Sequence, residues 1–84
     1  MSKKNKVQVF VVEYDDVQGN WRVVSNGSTR KREATKRAAV QAGVRHARRR
    51  ANDNEWALGV DTQLRVLDLN DKVVETRSYQ RNRG

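Results

Sequence analysis

The chain contains no cysteine and no proline. Without thiols, disulfide staples, zinc–thiolate sites, iron–sulfur ligation and cysteine chemistry are excluded. Without proline there is no cis-Pro turn and no rigid polyproline ligand. Aromatic residues are scarce too, with one Phe, two Tyr and two Trp, and there is a single His. The longest apolar run, Val9 to Val12, has four residues, so neither a signal-peptide core nor a membrane span is expected. A chain of 84 residues makes one domain with a thin core and leaves no room for a two-domain enzyme. With 36% hydrophobic and 33% charged residues the chain is wet but not of disordered composition.

Positive charge is what the sequence has in excess. The net charge is +8, and Ser28 to Ala51 holds nine basic residues against one acid, Glu33. The rest of the chain is balanced, and the stretches Val7–Gly27 and Asn52–Gln80 are net acidic. Solubility alone does not require such an asymmetry. A polarised molecule with one strongly basic element points to a polyanionic partner.

Residues 1–6 (MSKKNK) have no periodicity and read as a flexible basic arm, with residues 80–84 as a flexible tail. Between them, residues 7–79 read as a single α+β domain. VQVFVVEY, residues 7–14, is rich in β-branched residues and too short for a stable helix, so it is a strand. A second strand over 20–26 runs into Asn26-Gly27, a strong type I′ hairpin signal because both central positions need positive φ. The return strand, 28–34, is polar and suits a sheet edge. A helix follows over 35–51, with Thr35 preferred as its cap over Ser28 or Thr29. Ala38, Ala39, Ala42, His46 and Ala47 recur at helical spacing. Strands over 62–69 and 72–79, joined at Asn70-Asp71, close the chain.

This order gives a small antiparallel sheet (β-β-β-α-β-β) with an alanine-rich helix on one face. The first strand is apolar on both sides, with Val7, Val9 and Val11 opposite Phe10, Val12 and Tyr14. In the closing hairpin Leu64 and Val66 are expected opposite Leu67 and Leu69. One helix covers only one face, so a homodimer is expected to cover the other.

The pattern resembles the DUF2188 family of small uncharacterised domains in four places: VQVFVVEY, Gly19-Asn20-Trp21-Arg22-Val23, Thr35-Lys36-Arg37-Ala38-Ala39, and the closing Arg77-Ser78-Tyr79. The likeness spans residues 7 to 79. It departs from the family at the last turn, where Asn70-Asp71-Lys72 stands for the usual aspartate-glycine. The resemblance implies a β-rich domain with one helix and possible pairing of chains, and no activity.

No residue set suggests catalysis, metal binding or a cofactor. His46 lies among arginines without a nearby carboxylate or nucleophile. Asp15, Asp16, Asp53, Asp61, Asp68 and Asp71 fall mostly where turns are expected, and the glycines form no phosphate loop. Asp68 and Glu75 are expected across the last hairpin as ordinary strand surface. Trp21 reads as core, and Trp56 as a core lid, a dimer contact or a stacking platform.

The surviving signal is basic: Arg30, Lys31 and Arg32 on the return strand, Lys36 and Arg37 at the helix start, and Arg45, Arg48 and Arg49 towards its end. Arginine forks phosphate oxygens. The expectation is therefore a non-catalytic, cytoplasmic nucleic-acid-binding protein that contacts the phosphate backbone of DNA or RNA. The alternative from another class is a homodimeric interaction or regulatory module whose basic face meets an acidic protein.

Overall fold

A computed structural model describes residues 7–52 and 59–81. Five strands and one helix follow one another as β1 (Val7–Asp15), β2 (Asn20–Ser25), β3 (Ser28–Glu33), α1 (Lys36–Ala51), β4 (Asp61–Leu67) and β5 (Val73–Tyr79). Residues 53–58, which include Trp56, lie outside the described residues, as do the expected arm and the last three residues of the expected tail.

Local chemistry sets the boundaries. Asn26 and Gly27 take φ of 52° and 76°, the left-handed pair that a two-residue I′ turn requires. The side chain of Thr35 accepts from the Ala38 amide at 3.2 Å, which caps α1 and excludes a start at Ser28. Arg48, Arg49 and Arg50 fill the last turn, at the negative end of the helix dipole. At the far hairpin Asp68 accepts from the amides of Asn70 and Lys72. Asp68 is therefore a turn residue, and it is Val66 that faces Glu75. Leu69 lies in this turn, beyond β4, and is 70% exposed.

The sheet is not antiparallel throughout. Its order is β3-β2-β1-β4-β5, and β1 pairs with β4 in parallel, Phe10 beside Leu64 and Val12 beside Val66. The reason is one of length. A helix of 16 residues spans about 24 Å, close to the length of a seven-residue strand. It returns the chain to the end of the sheet where β3 began, so β4 must run in the direction of β3 and β1. The charged edge of β3 offers no apolar neighbour, whereas β1 offers Phe10 and Val12.

The core lies between α1 and one sheet face. Phe10, Val12, Val23, Leu64 and Val66 meet Ala39, Ala42 and Ala47, all of them buried. The small helix residues allow a close approach, and Gly43 marks its closest point: a Cβ there would stand 2.8 Å from a Leu64 methyl and 3.1 Å from a Val12 methyl. Thr62, buried, donates to the Ala47 carbonyl at 3.0 Å and ties the sheet to the helix near its end. Trp21 is half-buried rather than core, packed edge-on to Tyr14 with ring centres 5.3 Å apart.

Among the described residues, no helix lies over the opposite face. Val9, Val11 and Val24 are half-buried there, and Val7 is half exposed. Beside them runs an ion-pair chain in which Arg22 binds Glu13 and Asp15, and Arg32 binds Asp15 at 2.9 Å.

Candidate nucleic-acid interface

The basic segment folds into β3, the turn after it and α1, and the sheet register sorts its cations by face. Val23 faces the helix and pairs with Lys31, which places Lys31 on the helix side. Arg22 pairs with Arg32, which places Arg32 on the other side. Arg32 there donates to Asp15 and Asn20, both at 2.9 Å. Its guanidinium is the main reason that the Asp15 carboxyl is held below its ordinary range, with the Gln18 and Val17 amides and Arg22 adding to this against the effect of burial. Arg32 thus leaves the candidate set, because its charge is already matched.

A register shift between Val23 and Val24 leaves Arg30 without an opposite residue on β2. Arg30 lines a cavity of about 220 Å³ together with Gln8, Phe10, His46, Arg49 and Arg50. On the helix, Arg37, Gln41, Arg45 and Arg48 recur at three- and four-residue spacing and are all exposed, which makes the outer stripe. Lys36 stands 5.9 Å from the centre of the Trp21 ring, a cation–π contact at the helix start. Among the described residues, Arg30, Lys36, Arg37, Arg45, Arg48 and Arg49 have no carboxylate within ion-pair distance, while Lys31 has Glu33 at 3.7 Å.

A second concavity lies between α1 and β5. It is a groove of about 770 Å³ lined by Lys36, Arg37, Val40, Gln41, Val44, Arg45 and Arg77. Arg77 was not among the residues expected from the sequence. It pairs in register with Leu64, which puts it on the helix side of β5, and it is bonded to Glu75. Only the register reveals this, since Arg77 stands far from the basic segment in sequence.

His46 is half-buried, its ring stacked on Phe10 at 6.4 Å between centres. Burial lowers its pKa below the ordinary 6.5, and Arg49, Arg45, Arg30 and Lys31 lower it further. The imidazole thus reports a positive field converging on one place. Among the described residues there is no group of three or more His, Asp or Glu side chains placed to hold a metal ion. No described helix is long and apolar enough to cross a membrane.

The chain matches no family model, no curated protein and no solved structure. The likeness to the DUF2188 family therefore rests on the residues quoted for it.

Proposed function

We propose that this protein binds nucleic acid without catalysis, gripping the phosphate backbone through Arg30, Lys31, Lys36, Arg37, Arg45, Arg48 and Arg49. One observation carries the reading: six of these cations lie on the helix side of the molecule with no acid within ion-pair distance among the described residues, while Arg22 and Arg32, on the other face, are ion-paired. Unmatched arginines at a surface are costly in mutual repulsion and gain most from a dense array of phosphates. Fluorescence anisotropy with duplex DNA, single-stranded DNA and duplex RNA tests it. Micromolar binding at low salt to at least one of the three is the expected result, and binding to none defeats the proposal. Turnover in a hydrolase and nuclease screen, abolished by His46→Ala, would overturn the non-catalytic part.

The second reading is an acidic protein partner. The groove between α1 and β5 favours it, because Val40 and Val44 give it an apolar floor inside a cationic rim. It takes precedence if no nucleic acid binds.

Pairing of two chains belongs to the same proposal. The open sheet face keeps Val7, Val9, Val11 and Val24 in one patch, and a second copy would cover it while leaving both basic sides outward. Sedimentation equilibrium at micromolar concentration is expected to give twice the chain mass. A 9.7 kDa species would remove the dimer and leave the binding surface as it is.

A further inference from the structure

The two edges of the sheet are not alike. β3 closes one side and carries Arg30, Lys31 and Arg32 in succession, so a second copy laid along it would meet like charge, a common protection of an edge. β5 closes the other side. Among the described residues its backbone pairs with β4 alone, which leaves the outward row of amides and carbonyls unmatched. This edge carries little protection. Val73 and Val74 at its start are 53% and 54% exposed, and its charged residues are Glu75 and Arg77, one of each sign. The shift in register with β4 falls at the Val73–Val74 end, and from Glu75 to Tyr79 the pairing is regular.

We infer that two copies of this chain join edge to edge through β5, antiparallel and centred on Thr76, so that the two five-stranded sheets become one. Symmetry narrows the choice of register. An antiparallel joint between identical strands has its twofold axis perpendicular to the sheet, so every side chain keeps its face and the centre falls on a residue. A centre on Glu75 sets that carboxylate against its own copy, and a centre on Arg77 does the same with the guanidinium. A centre on Thr76 sets Glu75 across from Arg77 of the second copy, and does so twice. Both side chains lie on the helix side of β5, are partly exposed, and already pair along the strand, where Arg77 Nε donates to Glu75. The joint makes a square of alternating charges from them. Opposite charges directly across a strand pair stabilise it, and like charges destabilise it. The same register sets Val74 against Ser78 and Val73 against Tyr79. Because side chains keep their faces, both α1 helices lie on one side of the joined sheet. Arg77 lines the groove between α1 and β5, so the two grooves open onto the joint from either side. A twofold basic surface is thereby added to the nucleic-acid reading, but the joint depends neither on that reading nor on the open-face pair, since it uses none of Val7, Val9, Val11 and Val24. A seven-residue edge buries less than the roughly 1,200 Å² at the low end of stable interfaces, so the joint forms at higher concentration than the open-face pair.

Two measurements test the joint. In a chain without cysteine, Thr76→Cys puts a single thiol opposite its own copy, where facing Cα atoms stand about 4.5–5.5 Å apart, within disulfide range. Mild oxidation is expected to give a covalent dimer. Arg65→Cys is the control, because Arg65 pairs with Thr76 one strand further in and its copies would stand about 14 Å apart. Sheets stacked face to face are about 10 Å apart, so an open-face pair does not form the Thr76 bond. Sedimentation equilibrium up to about 1 mM reads the joint without a cross-link. The parent is expected to double its mass with concentration, from two chains to four where the open face is paired and from one to two where it is not. Glu75→Arg and Arg77→Glu each set like charges across the joint, and each should associate at least about tenfold more weakly than the parent. An equal mixture of the two should associate again, since each variant supplies the charges that the other lacks. A Thr76→Cys chain that cross-links no faster than Arg65→Cys overturns the inference. Charge variants that associate like the parent, or a mixture that does not recover, also overturn it. Nucleic-acid binding by a chain that fails these tests leaves the proposed function standing, and a joint in a chain that binds no nucleic acid removes that function alone.

Discussion

Raising the salt from about 50 to about 200 mM is expected to weaken nucleic-acid binding roughly a thousandfold. Each cation that neutralises a phosphate releases condensed counterions, and log K falls with log salt by about 0.9 per contact on duplex DNA. The six cations with no acid partner among the described residues give a slope near −5, which over a fourfold change in salt amounts to about three decades. Arg45→Glu together with Arg48→Glu removes two contacts from the middle and end of the outer stripe. The slope should shrink by about two, and affinity should drop by a similar factor for every sequence tested, because phosphate contacts carry no base information. Both side chains are exposed, so far-UV circular dichroism should be unchanged, and the melting temperature should fall only slightly, because a glutamate at position 48 meets the negative end of the helix dipole at a cost of about 0.3–1 kcal/mol. A salt slope near zero, or a variant that loses only one sequence, would sink the backbone-binding interpretation. The same charge reversal with Arg32, whose guanidinium is bound to Asp15, should cost stability rather than affinity.

Gly43→Val is expected to destabilise the fold by about 3 kcal/mol or more, and Gly43→Ala by about 1 kcal/mol. Two effects oppose each other at this position. Alanine gains up to about 1 kcal/mol of helix propensity over glycine. Its Cβ, however, would sit 2.8 Å from a methyl of Leu64, which has no exposed surface, and 3.1 Å from Val12. Overpacking of this kind costs about 1–3 kcal/mol, so packing outweighs propensity. Valine adds two methyls to the same contact and lifts the helix from the sheet. For a domain of this length the total stability is roughly 4–13 kcal/mol, so the valine variant takes a large share of it. Urea unfolding midpoints would measure both. A Gly43→Ala protein more stable than the parent would show that Leu64 can move aside and that the approach of helix to sheet is looser than the distances indicate.

The sequence made some of this readable and concealed the rest for definite reasons. The Asn26-Gly27 turn and the Thr35 cap were legible because each acts within four residues. The alanine face of α1 was legible because helical spacing brings those residues together. The parallel pairing of β1 with β4 was not. β4 alternates Thr62, Leu64 and Val66 inward with Gln63 and Arg65 outward, and alternation of this kind usually marks an antiparallel strand. Parallel strands are generally buried on both faces, but here one face stays uncovered by the described residues. The basic surface was legible as a segment and not as a face. Arg32 and Lys31 are neighbours in sequence and lie on opposite sides of the sheet, and the shift beside Val24 that turns Arg30 towards His46 leaves no mark in composition. Arg77 reaches the helix side only through its register with Leu64.

The parallel pair at the centre of the sheet also dictates when the molecule becomes a protein. β1 is made first, yet the neighbours that bury Phe10 and Val12 on their β4 side, Leu64 and Val66, are synthesised only after the whole of α1. Closing that long loop costs chain entropy before any of the central contacts repays it, which places this fold among the slower small domains. On the ribosome the first hairpin and the helix can form locally, but they enclose half a core. A nascent chain halted before β4 displays the bare edge of Val-Gln-Val-Phe-Val-Val to its surroundings, and in that interval chaperones and proteases compete for it.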